Sequence, residues 1–320
     1  MLEGAEDGIA TATGMAAVSA CFMTFLSAGD HIISASAVFG STHTILTKYL
    51  PKWGIEFSYF DMNNPEMIET LIKSNTKVLY VETPSNPGLD IIDLTYVSLI
   101  CKKHNIIFIV DNCFATPAVQ QPILFGADLV LHSATKAMAG HNDATLGVIA
   151  GEKDLIDAIW SYAVLHGATA SPYDAVNGLR GIRTLGVRLA HQCTTAMELA
   201  SRLVSNPSVS AVHYPGLSTH PQHALAAKQM RQFGSLLSFE VVGGKDAARK
   251  VIDGLKLVRP AVSLGGPETL ICHPASSTHV GVSPEDQLTA GITQGLLRVS
   301  VGLESATDVI ADFQQVLASL

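Results

Sequence analysis

Ile106-Ile107-Phe108-Ile109-Val110-Asp111 places five consecutive apolar residues ahead of a single carboxylate. A run this short, rich in β-branched residues and without polar alternation, reads as a strand buried on both faces. The surrounding chain repeats the pattern. Asp30–Ser34, Thr76–Val81, Leu129–Leu131 and Leu146–Ala150 read as further buried strands, with helical patterns such as Pro65–Lys73 and Leu94–His104 between them. Short apolar runs alternating with amphipathic helices predict βαβ units and a mostly parallel sheet between helices. In such sheets a ligand sits beyond the carboxyl ends of the strands. That rule points to Thr83–Pro87, Asp111–Phe114 and Ser133–Lys136.

Farther along, Pro172–Asn206 predicts one long helix that ends near Pro207. Leu236–Val242 and Leu296–Val301 are strand-like, Asp246–Gly254 is helical, and Thr307–Leu320 closes the chain as a helix. These shifts place a domain change around Arg183–Arg188. A large domain over residues 1–187 and a smaller α/β C-terminal domain over 188–320 are expected.

Composition excludes several classes of function. Hydrophobic residues make up 48% and charged residues 15%, so the chain can bury a core and is not a disordered tail. The net charge of −8, with no Lys or Arg run, argues against a nucleic-acid reader. Gly8 to Gly29 carries no charge, which raises the question of a membrane span. Hydroxyls and glycines interrupt it, and acidic Glu3, Glu6 and Asp7 precede it, the opposite of a secretory leader. A buried helix of a soluble protein is expected there. Five scattered cysteines without a CxxC pair indicate neither a disulfide framework nor a zinc site, and a reducing cytoplasm is the expected compartment. His132, His273, His279 and His141-Asn142-Asp143 fit no metal-ligand spacing; they read as loop or core hydrogen-bonding groups.

Four places can carry chemistry. Ser133-Ala134-Thr135-Lys136 follows a strand end, where a lysine can be desolvated and made nucleophilic. Asp111 ends the most apolar strand and needs a partner, because an isolated buried charge is costly. Thr13-Gly14-Met15 opens a helix, where backbone N–H groups favour an anion. Glu82-Thr83-Pro84-Ser85-Asn86-Pro87 is a loop stiffened by two prolines. Each alone also fits an ordinary surface lysine, cap or turn. No G-x-G-x-x-G turn follows a strand, so a dinucleotide-binding dehydrogenase is not indicated.

Taken in order, Thr13-Gly14-Met15, Phe39-Gly40, Glu82 with Asn86-Pro87, Asp111-Asn112 and Ser133-Ala134-Thr135-Lys136 resemble the trans-sulfuration, or Cys/Met-metabolism, family of pyridoxal 5′-phosphate (PLP) enzymes. The resemblance continues through Arg180–Leu185, Ser263-Leu264-Gly265, His273–His279 and Leu297–Glu304, and covers nearly the whole chain. It implies the α/β architecture of fold-type I PLP-dependent transferases, with a seven-stranded sheet. It also implies PLP as cofactor, an amino-acid substrate, and a homo-oligomer, dimer or tetramer. The implied reaction is γ-elimination or γ-replacement on a sulfur amino acid or O-acyl-homoserine, of the cystathionine γ-synthase or γ-lyase type. Lys136 would carry PLP as a Schiff base and shuttle protons, and Asp111 would bind the pyridine nitrogen. Gly14, Met15, Ser133 and Thr135 would hold the phosphate, and Phe39 would stack on the ring. Asn86 would meet the ring 3′-oxygen with Glu82 nearby, Arg298 would clamp the substrate carboxylate, and Ser263 would position the lysine or that carboxylate.

The sequence departs from the family's pattern in three places. Phe39 stands where most members have a Tyr, so a phenol assigned to leaving-group chemistry is missing. Ser41 stands where methionine γ-lyases tend to have a Cys. The family's earlier Tyr-x-Arg motif, which reaches the neighbouring subunit's phosphate, has no counterpart here, and weak PLP retention is expected. A second reading therefore stands beside the first: an N-terminally truncated, catalytically impaired member acting only through oligomer contacts.

Overall fold

The computed structural model describes residues 2–320. Seven strands form one sheet: β1 (Asp7–Thr11), β2 (His31–Ala35), β3 (Glu56–Phe60), β4 (Thr76–Glu82), β5 (Ile107–Asp111), β6 (Leu129–Ser133) and β7 (Gly147–Gly151). Their order is β1-β7-β6-β5-β4-β2-β3. From β3 to β6 all neighbours are parallel, while β7 runs antiparallel to both β6 and β1. The expected apolar runs occupy the sheet's centre: Phe108, Ile109 and Val110 of β5 are fully buried, as are Val78, Leu79, Tyr80 and Val81 of β4. The Leu94–His104 helix lies where the pattern placed it. Asp93 caps its N-terminus through the Tyr96 N–H, a left-handed Asn105 ends it, and Lys102, Lys103 and His104 fill the last turn.

The charge-free stretch is not one helix. Its first part is β1, whose Ile9 pairs with Ile149 of β7, and the helix runs only from Gly14 to Phe25. Thr13 divides the two, since its side chain accepts the Ala16 N–H at 2.9 Å. Pro172–Asn206 likewise divides, into Pro172–Ile182 and Leu185–Val204. Packing causes the break. A Cβ on Gly181 would come within 2.0 Å of the Ala139 carbonyl oxygen, so this turn lies directly against the chain after Lys136. Buried Arg188 then donates to the carbonyls of Ala137 and Gly181, both at 2.9 Å, locking the corner. No helix among the described residues is long and apolar enough to cross a membrane.

A second sheet follows, in the order β10-β11-β12-β9-β8, from β8 (Val209–His213), β9 (Leu236–Val241), β10 (Arg259–Pro260), β11 (Leu270–Cys272) and β12 (Leu296–Ser300). Its own core includes Phe239 edge-on to Phe313 of the C-terminal helix, with ring centroids 5.9 Å apart. Between the two sheets, Leu185, Leu189 and Cys193 of the long helix pack with Ile91, Val119 and Met230. β12 lies at the centre of its sheet, where Arg298 pairs with Cys272 on one side and Ser238 on the other.

Candidate active site

The carboxyl ends of β4, β5 and β6, the start of the Gly14–Phe25 helix and the middle of β12 enclose one cavity of about 270 Å³. Gly14, Met15, Phe39, Glu82, Asn86, Asp111, Ser133, Lys136 and Arg298 all line it. Ser263 stands just behind, with its Oγ accepting a hydrogen bond from Lys136 Nζ at 3.1 Å. Thr135 does not face this cavity. Its hydroxyl donates to the Leu146 carbonyl and accepts the Leu146 N–H, and it borders a neighbouring open cleft with Ser263. That loop-to-strand bracing, which starts β7, occupies the hydroxyl expected at a phosphate.

Each side chain is held for a traceable reason. Glu82 and Asp111 are in-register partners on adjacent parallel strands, so two carboxyls end up side by side and buried. Burial pushes both carboxyls up, and the Asp111 charge raises Glu82 further. Glu82 accepts the Phe39 N–H at 2.8 Å, which seats the Phe39 ring at the cavity mouth. Asp111 accepts from the Tyr80 hydroxyl at 3.1 Å and from the Cys113 N–H at 3.0 Å. Burial, helped by the Arg298 charge, lowers Lys136, so its amine is more readily freed of its extra proton. Arg298 is almost wholly buried: Nη1 donates to Asn86 Oδ1 at 3.0 Å and Nη2 to the Val262 carbonyl at 2.9 Å. Its guanidinium carbon lies 5.8 Å from the Phe114 ring centroid.

The cavity fits an anionic aromatic cofactor. A Cβ on Gly14 would stand 2.6 Å from Ser133 Cβ, so only glycine lets the helix start approach this turn. Thr13 uses the Ala16 N–H, and the helix itself leaves those of Gly14 and Met15 for an anion. Asp111 has no cationic side chain paired with it, and Arg298 Nε is buried without an acceptor, among the described residues. Over residues 1–318 the sequence matches the family described as Cys/Met metabolism PLP-dependent enzyme. The chain belongs to that family. It is thus a PLP-dependent enzyme of sulfur amino-acid metabolism, with γ-elimination or γ-replacement as its reaction type.

Relatives of this chain carry the names of both lyases and a sulfhydrylase. The L-methionine gamma-lyase of Fusobacterium nucleatum subsp. polymorphum is 42% identical, covering 100% of this chain and 82% of the relative. The O-succinylhomoserine sulfhydrylase of Pseudomonas aeruginosa is 41% identical, covering 100% and 79%. The crystal structure of cystathionine gamma synthase from Xanthomonas oryzae pv. oryzae, in complex with aminoacrylate and cysteine, superposes with a TM-score of 0.96. It is 41% identical and the match covers 99% of this chain and 82% of that one.

Several contributors escaped the sequence reading. Tyr80 sits two residues before Glu82 on the same strand face, and that alternation was the available signal for it. Phe114 and Ser277-Thr278 lie in stretches that the sequence had already singled out without giving them a role, and they also line the cavity. The histidines go elsewhere: His273 bonds Ser276 and the Gln294 carbonyl, and His141 bonds the Ala139 carbonyl. No group of three potential metal ligands occurs among the described residues.

Proposed function

We propose that this chain performs its γ-chemistry with Lys136 as the PLP-bearing lysine, and that it prefers γ-replacement on an O-acyl-homoserine over elimination from methionine. One observation carries the assignment: the Lys136 amine, the Asp111 carboxyl and the Arg298 guanidinium converge on a single cavity. Bound PLP supplies a carbonyl for the substrate amine and a ring that takes up the electron pair left at Cα. Asp111 holds the ring nitrogen's proton. The Gly14 and Met15 N–H groups and Ser133 would receive the phosphate, without Thr135, whose hydroxyl is held on Leu146. Asn86, whose Oδ1 accepts from Arg298, would offer its amide to the ring oxygen with Glu82 in the same cavity lining, and Phe39 would stack on the ring. Arg298, which lines the cavity, would bind the substrate carboxylate through its guanidinium. Lys136, lowered by burial and held toward Ser263, would take the Cα proton and, once freed of it, a proton from Cβ, whose electron pair then expels the γ-substituent.

The leaving group decides the preference. Carboxylic acids ionise near pH 4 and thiols near 8.5, so an acyl carboxylate departs without a proton while a thiolate benefits from one. Phe39 supplies no phenol where it meets the cavity, and Lys136 is the one lining amine among the described residues. The test incubates PLP-loaded protein with O-succinylhomoserine or O-acetylhomoserine plus cysteine, and separately with methionine or cystathionine, followed by product identification. Thioether formation from an acyl-homoserine should be the fastest reaction. Faster release of methanethiol from methionine would reverse the preference.

Self-association is part of the same reading. Tyr173, Val176 and Leu179 form an exposed apolar stripe on the Pro172–Ile182 helix, and Trp160 and Leu165 are exposed on the helix before it. A homo-oligomer, dimer or tetramer, covers it, and sedimentation of the purified chain tests this. All five cysteines are free, in keeping with a reducing cytoplasm.

A further inference from the structure

Behind the cavity lies a buried polar cluster that none of this chemistry uses. Glu3 Oε1 accepts from Asn112 Nδ2 at 2.9 Å and lies 2.6 Å from His132 Nε2. An ionised carboxylate only accepts, so Nε2 carries the hydrogen. Asn112 also donates to the Gln120 carbonyl at 2.8 Å. Gln120 in turn donates to Asn112 Oδ1 at 3.2 Å and to the Thr83 carbonyl at 3.1 Å. Asn112 follows Asp111, His132 precedes Ser133, and Thr83 follows Glu82. The ends of β5 and β6 are therefore gathered on one carboxylate near the start of the chain, and the end of β4 is tied to them through Gln120.

The cluster is costly as mere packing. Glu3 and His132 are buried, and Glu3 Oε2 and His132 Nδ1 have no hydrogen-bond partner among the described residues. Apolar side chains of similar volume would be at least as stable, so such a pair calls for an explanation. Its surroundings supply one. The titratable and charged groups facing Asp111 are Tyr80 and Glu82 on β4, Cys113 in its own loop, Cys21 on the Gly14–Phe25 helix, His132 on β6 and, on the same cavity, Lys136 and Arg298. Burial raises the Asp111 carboxyl, and of these groups His132 is the one whose charge draws it back down.

We propose that Glu3 is a positioning residue for the reaction: through Asn112 and His132 it fixes the Asp111 carboxylate and the Ser133–Lys136 turn relative to each other, and supports that carboxylate from behind the cavity. The inference rests on Asp111 as the partner of the PLP ring nitrogen.

Glu3→Gln keeps the shape and one acceptor oxygen and removes the charge, and Glu3→Ala removes both. His132→Asn removes the ring from the other side and decides the matter if neither Glu3 variant folds. Each is loaded with PLP and compared with wild type in PLP affinity, in the pH midpoint of the cofactor's visible band, and in kcat and KM. We expect Glu3→Gln to lower kcat about 10-fold or more with KM within about 2-fold, as losing one charge-assisted hydrogen bond would. Its visible band should shift its pH midpoint, and His132→Asn should shift it in the same direction. The double variant should be no worse than the more affected single one, because the pair acts as a unit. A Glu3→Gln protein that melts earlier yet keeps wild-type affinity, midpoint and kcat would reduce the pair to a structural role. A wild-type protein with no visible band, or one that survives Lys136→Ala, would instead count against the proposed function itself.

Discussion

Lys136 and Ser263, 127 positions apart in the chain, meet with Nζ donating to Oγ at 3.1 Å. The lysine comes from the turn after β6 and the serine from the segment between β10 and β11, so the contact joins the two sheets at the lysine proposed to bear PLP. It also sets the direction of the amine, which burial has already lowered toward its neutral form.

Ser263→Ala should therefore slow turnover without emptying the site. A hydrogen bond to a charged or charge-exchanging group is worth about 1.5–3 kcal/mol, so kcat should fall roughly 10- to 100-fold. The PLP visible band should persist, because Lys136 remains, and Ser263→Thr should recover much of the rate. Steady-state kinetics beside an absorbance spectrum check this, and an unchanged kcat would remove Ser263 from the mechanism.

Asp111→Asn separates function from stability. Burial raises the folded-state Asp111 carboxyl above its ordinary value, so the unfolded chain releases that proton more readily. Above the ordinary carboxylate range the charge therefore opposes folding, and the opposition grows as pH rises toward the folded value. The cofactor-free Asn variant should melt higher than cofactor-free wild type at neutral pH, while PLP-dependent turnover drops by at least about 100-fold. Calorimetry of both apo proteins gives the sign, and a lower melting temperature for the variant would contradict this account of Asp111.

How much of this was legible in the sequence depends on how local the cause is. Asp111 stood out because one carboxylate ends a wholly apolar strand, and the parallel order of the sheet followed from the alternation around it. The break between Ile182 and Leu185 was not legible, because it comes from Gly181 lying on Ala139, some forty residues earlier in the chain. The Thr135 hydroxyl looked free beside Lys136 until Leu146 turned out to occupy it. Glu3 and His132, 129 positions apart, looked like a terminal acid and a core histidine; only the fold joins them.

His279 gives the acid limb of stability a specific origin. Burial, reinforced by the charges of Arg298 and His43, lowers it to about 4. The unfolded chain takes up this proton near pH 6.5, so stability is full above that value and declines as pH falls toward about 4, below which the loss is complete. The decline from this one group is on the order of 3 kcal/mol. His279→Gln should flatten the difference in unfolding free energy between pH 7.5 and pH 4.5 by an amount of that order. Denaturant titrations at the two pH values measure it, and parallel curves for variant and wild type would place the acid sensitivity elsewhere.

Phe39→Tyr tests the leaving-group argument from the opposite side. The Phe39 backbone is fixed by its N–H bond to Glu82 at 2.8 Å, and the residue lines the cavity while remaining 36% exposed. A tyrosine can take the same place without repacking and adds one hydroxyl at the cavity mouth. With a thiolate leaving group, a positioned acid is worth about 10²–10⁴-fold when fully effective, so even partial alignment should raise methanethiol release from methionine about 10-fold. With an acyl carboxylate leaving group the same hydroxyl has little to protonate, and the replacement rate should change by less than about 2-fold. The ratio of the two rates, measured on one PLP-loaded preparation of each protein, should therefore shift toward elimination. If both rates move together, Phe39 governs ring stacking alone and the substrate preference must come from elsewhere in the cavity.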